Sequence, residues 1–438
     1  MRKVVKFGGS SMADAVQFKK VRDIVLADAK RNVVIVSAPG KRFSGDHKIT
    51  DLLYLCHAHI KYGVSCDSIF SMIEERYLSI CKDLGLSVDI ASVLAQLREK
   101  MEAGISQDEL VSRGECFCAM LMADFLGFDF IDASQWLYFN LDGSVNQERS
   151  YFALKTLAEG RRVVIPGFYG ILPDGSIRTF SRGGSDITGA LAAAALDAEV
   201  YENWTDVSGI LMADPRIVEN PEPIAHVTYD ELRGLSYAGA QVLHEGTVSP
   251  VREKNIPLNI RNTNDPDHPG TLICERFDEE TEQDPRFITG VAGRKNFSIV
   301  TVIKSGMSSE AGALRRILKV FDQHGATAEF VPSGIDSFSL VVAGDKLGGN
   351  LFAILGALQE AIAPDDIKVT SNISIITAVG RKMAFRPGTS GRIFAALGEH
   401  GINIRMISQG PEELSITVGV DDKDYSETIR VLYNSFVT

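Results

Sequence analysis

The first residues with clear chemical potential lie close to the N-terminus. Lys6 is followed by Gly8, Gly9 and Ser10 in the segment KFGGSS, which ends an apolar run. Glycines let backbone N–H groups approach an anion closely, and a helix that begins there adds a favourable dipole. The segment predicts either a phosphate cradle with an ammonium beside it or an ordinary strand–helix turn. Its spacing alone does not decide between them.

A second Gly-rich segment, SRGGSD, contains Arg182, Ser185 and Asp186 and leads into an apolar helical pattern. Ser185 suits a helix N-cap, and Asp186 suits the first helical turn for structural reasons alone. Arg182 is harder to explain structurally, because the loop exposes a guanidinium suited to bidentate binding of a carboxylate. The segment therefore favours a functional interpretation.

Two further segments are weaker when taken alone. Thr205 and Asp206 follow an apolar run, where such a pair also serves as turn chemistry. Glu115 lies in an apolar helical pattern, in the segment SRGE. It either faces solvent or points into a cleft, and for an isolated glutamate the solvated face is the more common outcome.

Convergence strengthens these segments. Three of them, and Ser37 in the segment SAPG, come directly after predicted strands, at the edge where open α/β sheets bind ligands. The set offers backbone cradles, two cations and several carboxylates. This inventory suits phosphoryl transfer, in which catalysis consists mainly of positioning and charge neutralisation.

Alternating strand and helix patterns position these segments. Near-continuous apolar runs, typical of parallel strands buried on both faces, occur at 4–7, 32–37, 129–132, 162–167, 199–204 and 257–261. Helical patterns occur at 13–30, 50–62, 108–126, 147–159, 186–196, 229–234 and 247–254. The alternation predicts an α/β domain with a mainly parallel sheet over residues 1–285, ending in a polar connector.

An internal repeat follows the connector, at a constant offset of 76 residues. Its matching pairs include Ser298/Ser374, Met307/Met383, Arg316/Arg392, His324/His400, Gly325/Gly401 and Ser339/Ser415. Each copy predicts a βαββαβ-like module in which a glycine ends the first helix. We therefore expect two small α+β modules, at residues 296–371 and 372–438.

Composition excludes several classes of protein. The 438 residues are 45% hydrophobic and 23% charged, which suits a globular chain of two or three domains. A net charge of −12 without a long basic run argues against nucleic-acid binding. No apolar run approaches the ~20 residues of a membrane span, so we expect no membrane association. Six cysteines without Cys-x-x-Cys spacing indicate core thiols rather than a metal site, and a cytoplasmic location.

Taken together, these segments resemble those of aspartate kinases, within the amino-acid kinase superfamily. The resemblance rests on KFGGSS, RGE, SRGGSD, the Thr205–Asp206 pair and GAQVLH at 239–244, all in order. The repeat resembles the paired ACT domains that follow that kinase domain. The resemblance implies a three-layer α/β domain with two ACT modules. It also implies transfer of the ATP γ-phosphoryl group to the side-chain carboxylate of L-aspartate, the first step towards lysine, threonine and methionine.

The resemblance implies catalytic and substrate-binding residues. Lys6 would neutralise the phosphoryl oxygens, and Asp186 would orient the site. Arg182 would bind the α-carboxylate of aspartate, and Glu115 would bind its ammonium. The further substrate contacts are Thr50 and Ser185. A strong base is not needed, because the attacking carboxylate is already ionised at neutral pH.

On the nucleotide side, the resemblance implies ATP carried with Mg²⁺. The residues that match this side are Lys6, Gly8, Gly9, Ser10, Ser37, Thr205, Asp206, Leu211, Arg216 and Gln241. Two of them depart from the family pattern. Gln241 stands where many relatives carry a lysine, and Leu211 stands where some carry a tyrosine. These departures concern the affinity for ATP rather than the reaction.

The ACT resemblance implies a regulated protein. It predicts an amino-acid effector, lysine or threonine or both, and a homodimer or a dimer of dimers. In the first module Glu329 occupies a position where a carboxylate meets an effector ammonium. The matching positions are Met307, Gly312, Ala313, Leu314, Thr327, Glu329 and Ser333.

Two alternatives remain open. A kinase of the same superfamily that acts on another carboxylate or a carbamate is disfavoured by the tandem repeat and the SRGGSD segment. An amino-acid sensor with an inactive kinase domain is a different class of protein. The presence of Lys6, Glu115, Arg182 and Asp186 argues against it.

Overall fold

The chain forms two compact units, each described by itself. The computed structural model describes residues 2–181, 183–240, 243, 245–277, 288–381, 383, 386–410 and 414–437. The first unit comprises Met1–Ile210, Pro223–Tyr229 and Leu243–Phe277. The second comprises Leu211–Glu222, Asp230–Val242 and Asp278–Thr438. Two short segments from the middle of the predicted kinase domain thus belong to the second unit.

An eight-stranded sheet organises the described part of the first unit. Its strands are β1 (Lys3–Phe7), β2 (Arg31–Val36), β3 (Asp129–Phe130), β4 (Val163–Pro166), β7 (Val200–Thr205), β8 (His226–Thr228), β9 (Leu258–Asn262) and β10 (Thr271–Cys274), and a separate hairpin is formed by β5 (Tyr169–Ile171) and β6 (Ile177–Thr179). The strand order is β3-β4-β2-β1-β7-β9-β10-β8. Pairing is parallel from β3 through β9, and β10 runs antiparallel to β9. All six predicted strands lie in the parallel part.

Nine helices begin in the described part before residue 278. They are α1 (Ala15–Leu26), α2 (Ile49–Lys61), α3 (Asp67–Leu84), α4 (Ile90–Ala103), α5 (Gln107–Leu126), α6 (Gln147–Leu157), α7 (Gly184–Ala195), α8 (Tyr229–Ala238) and α9 (Glu245–Glu253). Seven match the helical patterns, whereas α3 and α4 were not predicted. A short 3-10 turn, Gly9–Met12, separates β1 from α1.

Both faces of the sheet are covered, as the three-layer prediction requires. Val5 and Phe7 of β1 are fully buried in a core shared with α1 to α5. Side chains alternate between the faces of a strand, so Val4 and Lys6 point to the opposite face. There Lys6 meets Asp186 of α7, a helix whose alanine-rich body is almost wholly buried. The three-layer α/β fold is confirmed.

A six-stranded antiparallel sheet organises the described part of the second unit. Its strands are β11 (Gly290–Ile303), β12 (Ala328–Phe330), β13 (Ser337–Ala343), β14 (Asp366–Val379), β15 (Ile404–Gln409) and β16 (Ser415–Asp421), in the order β12-β13-β11-β14-β16-β15. Its helices are α10 (Ala313–Gln323), α11 (Gly344–Leu347), α12 (Leu351–Ile362), α13 (Thr389–Glu399) and α14 (Tyr425–Val437). The central strands β11 and β14 pair along most of their length, so each serves both modules. The predicted boundary at residues 371 and 372 lies within β14, and the module limits remain a prediction.

The structural repeat follows the predicted offset only in part. Helices α10 and α13 are related by 76 residues at both ends. In the sheet, however, Thr301 pairs with Ser339, and the equivalent Thr377 pairs with Thr417, an offset of 78. The match of Ser339 with Ser415 was therefore wrong by two residues. A two-residue shift keeps every side chain on the same face of a strand, so the apolar pattern hid the slip.

Two global features agree with the composition. Among the described residues, no helix is both long and apolar enough to cross a membrane. None of the six cysteines forms a disulfide, and three of them are buried. The thiols are therefore packing groups in this structure.

Helix α7 packs closely on β7, and we expect this contact to limit substitution. A Cβ at Gly189 would lie 2.7 Å from Cζ of Tyr201. Gly189→Ala should therefore destabilise the protein by about 1–3 kcal/mol through overpacking. Calorimetric melting measures this. Gly398→Ala in α13, where the added methyl meets open space, is the matched control and should be neutral or stabilising. Equal melting temperatures for the two variants would contradict the close packing of α7.

Candidate active site

The most tightly defined contact of the site joins Lys6 to Asp186. The Lys6 Nζ lies 2.6 Å from the Asp186 Oδ1, and the lysine side chain is only 9% exposed. A buried ammonium needs a partner, and the carboxylate supplies it. The ammonium has three donors, so one carboxylate contact leaves donors for a further anion. The structure thus brings together the two residues to which the sequence assigned catalysis.

Two side chains of strand β7 donate hydrogen bonds to Asp186. In the parallel register Asn203 lies opposite Lys6, and its Nδ2 donates to the Asp186 Oδ1 at 3.0 Å. Two residues earlier, the Tyr201 hydroxyl donates to the main-chain oxygen of Asp186 at 3.0 Å. Asn203 is buried, and its Oδ1 has no partner among the described residues. Sequence reasoning missed Asn203, although an amide within a predicted buried strand, two residues before Thr205, was a usable signal.

The Gly-rich turn after β1 leaves backbone donors available. Gly8 donates its N–H to the carbonyl of Trp204 at 3.0 Å, which ties the turn to the end of β7. Within the described chain, the N–H groups of Gly9 and Ser10 make no backbone hydrogen bond. Free amides at such a turn form an anion cradle. Lys6 lies beside it, since a Cβ at Gly8 would be 3.4 Å from the Lys6 Nζ.

Glu115 points into the protein, not into solvent. It is 4% exposed on α5, and its Oε2 has no hydrogen-bond partner among the described residues. Burial raises the pKa of this carboxyl to about 8, although the Ala38 amide N–H donates to it and pulls in the opposite direction. A buried carboxylate with an unused oxygen is suited to receive a cation. The more common interpretation, a solvated face, was wrong.

Four other predicted residues lie around the carboxyl ends of neighbouring strands. Ser37 follows β2 and donates its N–H to the carbonyl of Phe7 at 3.1 Å. Ser185 packs against Gly167, which follows β4. Thr205 ends β7, and its hydroxyl donates to the exposed Asp206 carboxylate at 3.1 Å. Parallel strands β4, β2, β1 and β7 are neighbours, so these residues share one edge of the sheet.

The remaining predicted residues are less well defined. Thr50 is half-buried near the start of α2. Leu211 and Arg216 belong to the second unit, and Arg216 is engaged by Asp214, whose carboxylate accepts from its guanidinium at 2.6 Å. Arg182 and Gln241 lie outside the described residues. Their roles stay predictions.

The second unit places the predicted effector residues around α10 and β12. Gly312, at φ +74°, precedes α10, Ala313 opens the helix with Leu314 next to it, and Met307 is buried nearby in sequence. Thr327 and Ser333 are exposed on either side of β12. The Glu329 carboxylate is ion-paired with Arg294, whose guanidinium also lies over the Tyr237 ring at 5.4 Å. An effector ammonium would compete with Arg294 for this carboxylate.

Comparisons with known families agree with the fold. A model described as the amino acid kinase family matches residues 1–262, and one described as an ACT domain matches residues 376–436. The chain therefore belongs to the amino acid kinase family.

Individual relatives narrow the family. Aspartokinase 3 of Bacillus subtilis is 34% identical over 453 residues, covering 99% of this chain and 98% of that protein. The structure of Clostridium acetobutylicum aspartate kinase is 44% identical, covers 99% of both chains and superposes with a TM-score of 0.89. E. coli aspartokinase III in complex with aspartate and ADP is 25% identical, covers all of both chains and has a TM-score of 0.75. Within the family, the chain is thus an aspartokinase, a kinase that acts on aspartate.

The buried Glu115 predicts a pH dependence of stability in the unliganded protein. Its pKa is about 8 when folded and near 4.5 when unfolded, so between these pH values the folded state holds a proton that the unfolded state has lost. Stability should therefore fall as pH rises from about 4.5 to 8, by at most ~1.4 kcal/mol per pH unit from this group. Glu115→Gln should flatten the profile, measured by denaturant unfolding. Parallel profiles for both proteins would contradict the raised pKa.

The Asn203 contact predicts an effect on turnover. Asn203→Leu removes the amide donor that holds the Asp186 carboxylate, so kcat should fall about tenfold, equivalent to ~1.4 kcal/mol, with KM values little changed. Tyr201→Phe is the matched control, because it removes a contact to the Asp186 main chain and not to its carboxylate. Steady-state ADP release measures both. A larger loss in the Tyr201 variant would contradict the assignment.

Proposed function

We propose that the Lys6–Asp186 site carries out the transfer of the ATP γ-phosphoryl group to the β-carboxylate of L-aspartate, giving 4-phospho-L-aspartate. The observation that carries this assignment is a buried ammonium with spare donors beside the free amides of Gly9 and Ser10. A carboxylate oxygen of aspartate forms the new bond to phosphorus, and the bond from the γ-phosphorus to the bridging oxygen breaks, releasing ADP. No proton is transferred, because the nucleophile is already ionised.

The positive charge of Lys6 addresses the main physical obstacle, the repulsion between two anions. At this site the ammonium would neutralise charge on the phosphoryl oxygens, where a preorganised donor in a water-poor pocket is most effective. Asp186, held by Asn203, fixes the direction of the ammonium. The Gly9 and Ser10 amides would donate to phosphate oxygens of the same nucleotide, including those that ADP retains.

The substrate side is proposed to centre on Glu115. Its unused, buried Oε2 provides an acceptor for the ammonium of aspartate, and binding of that cation would release the proton that burial retains on the carboxyl. Thr50 and Ser185 are proposed further contacts, and Arg182 is proposed to bind the α-carboxylate. Charge pairing of the α-ammonium and the α-carboxylate would leave only the β-carboxylate free to react.

The nucleotide side is proposed to include Ser37, Thr205 and Asp206 at the strand ends, with Gly8 in the turn. Leu211, Arg216 and Gln241 are assigned to it by resemblance alone. Mg²⁺ would arrive with the nucleotide and supply charge neutralisation at the phosphates. The described residues hold no group of three or more His, Cys, Asp or Glu side chains that could hold a metal ion. Mg²⁺ that is carried with a nucleotide is usually bound to the phosphates and keeps several water molecules.

We further propose that the second unit binds an amino-acid effector and joins two copies of the chain. E. coli aspartokinase III was solved in complex with lysine and aspartate. In this chain the half-buried Glu329 beside exposed Thr327 offers a carboxylate to an amino-acid ammonium. Within the described part, the outer strands β12 and β15 leave open sheet edges, which suit pairing with a second copy in a homodimer or a dimer of dimers. We propose a cytoplasmic location, which fits six cysteines that form no disulfide.

Turnover of Lys6 variants tests the catalytic assignment. Lys6→Ala should lower kcat by about 10²-fold or more, the scale expected for loss of a donor to transition-state charge. Lys3→Ala is the matched control, because Lys3 opens the same strand and pairs instead with Asp28 at 2.9 Å. ADP release is measured with Mg-ATP and L-aspartate. Full activity of the Lys6 variant would overturn its role.

The same assay separates the alternatives. Substitution of glutamate or N-acetylglutamate for aspartate tests for another carboxylate substrate, and millimolar lysine or threonine tests for regulation. Aspartate-dependent turnover that one effector suppresses supports both parts of the proposal. Binding of lysine or threonine without turnover on any acid would favour an amino-acid sensor.

A further inference from the structure

The guanidinium of Arg76 joins three separate segments beneath the Gly-rich turn. Arg76 lies on α3 and is 3% exposed. Its Nη1 donates to the carbonyl of Gly40 at 2.8 Å and to that of Ala13 at 3.4 Å, and its Nη2 donates to the Asp46 carboxylate at 2.6 Å. A buried guanidinium is costly unless its donors are used. Arg76 uses its two terminal nitrogens on the residue after the Gly9–Met12 turn and on the loop that follows β2, whereas its Nε has no partner among the described residues.

The loop after β2 is closed by the same carboxylate. Asp46 also accepts from the backbone N–H and the Nε of Arg42, at 2.9 and 2.8 Å. Hydrogen bonding from Arg42 lowers the pKa of the Asp46 carboxyl well below its usual range, so the group stays ionised. The Ile49 N–H donates to the carbonyl of Pro39 at 3.1 Å and completes the closure. The loop is therefore a fixed element rather than a loose connection.

Gly40 transmits this order to the phosphate-binding turn. Its N–H donates to the carbonyl of Gly9 at 2.7 Å. A Cβ at Gly40 would lie 2.6 Å from the Gly9 carbonyl carbon and 2.8 Å from the Ser10 nitrogen, so the two backbones are in direct contact. The Gly9–Ser10 peptide thus lies between two residues whose carbonyls the Arg76 side chain binds. One is Gly40, which contacts the peptide directly, and the other is Ala13, which follows the turn in the chain.

We propose that Arg76 is a positioning residue for the nucleotide phosphates, acting through Gly40 and Ala13 on the Gly9 and Ser10 amides. Arg76 is buried behind the loop and touches no reacting group. Its role is therefore to fix the position of the Gly9 and Ser10 amides rather than to bind the phosphates itself. A misplacement of about 1 Å at such a site can cost ~10²-fold in rate. The inference rests on the proposed phosphate role of the Gly9–Ser10 turn and names what holds it in place.

The test uses three variants of the full chain. Arg76→Met removes the donors, Arg76→Lys keeps the charge but not the planar fork, and Ile80→Ala removes a fully packed side chain one turn further along α3. Arg76→Met should raise the KM for ATP and lower kcat, together by ~10- to 100-fold in kcat/KM, with the KM for aspartate within about twofold. Arg76→Lys should recover part of this loss. Ile80→Ala should lower the melting temperature without changing the KM for ATP.

Direct binding makes the result independent of turnover. ADP affinity, measured by titration calorimetry below the melting temperatures of all variants, should fall in the same order. Gly40→Ala should weaken ADP binding too, and it keeps the test decisive if Arg76→Met does not fold. Unchanged ADP affinity in Arg76→Lys and Gly40→Ala, or an equal loss in Ile80→Ala, would overturn the role of Arg76. A wild-type protein that binds ADP but does not phosphorylate aspartate would overturn the proposed function alone.

Discussion

A buried ammonium beside a sheet edge is the constraint on which the rest of the first unit depends. Lys6 is only 9% exposed, and Asp186 supplies its partner at 2.6 Å, a distance that exists only if α7 begins at one place above β1. The helix is held there by two alternate side chains of β7, Tyr201 and Asn203. The parallel register that sets Asn203 opposite Lys6 therefore also fixes the geometry of the proposed catalytic pair.

The polar groups of the site differ in how much of their hydrogen-bonding capacity is used within the protein. Lys6 has a partner and spare donors, whereas Glu115 has a spare acceptor and a pKa raised by burial. Each is poorly satisfied without ligand, and a zwitterionic amino acid with a polyphosphate would satisfy both. Around them, the two terminal nitrogens of Arg76 donate to backbone and carboxylate acceptors. Rigid surroundings with a few unsatisfied groups are what preorganisation requires.

The sequence allowed the ends of the strands to be predicted, but not the side-chain contacts that hold the site residues in place. The six parallel strands and the segments that follow them were readable because apolar runs and Gly-rich turns are local signals. Asn203 and Arg76 were not identified, because a polar residue in a strand or on an amphipathic helix has the same sequence pattern whether it supports a site or faces water. Taken alone, Glu115 was assigned to a solvated face, and only the resemblance implied a role in binding the aspartate ammonium, which stays a prediction. The two-residue slip in the repeat had the same cause, a pattern blind to register.

Chain connectivity adds one further step. Segments Leu211–Glu222 and Asp230–Val242 belong to the second unit but interrupt the sequence of the first, so the backbone passes between units repeatedly. Within the second unit Arg294 contacts both Glu329 and Tyr237, and Tyr237 lies in one of those segments. The residues that follow it re-enter the first unit at Leu243. Under the proposed effector site, a ligand that binds Glu329 would therefore disturb Arg294, which packs on Tyr237. Tyr237 lies in a segment that continues along the chain into the first unit, so a connection for regulation is already present in the covalent chain.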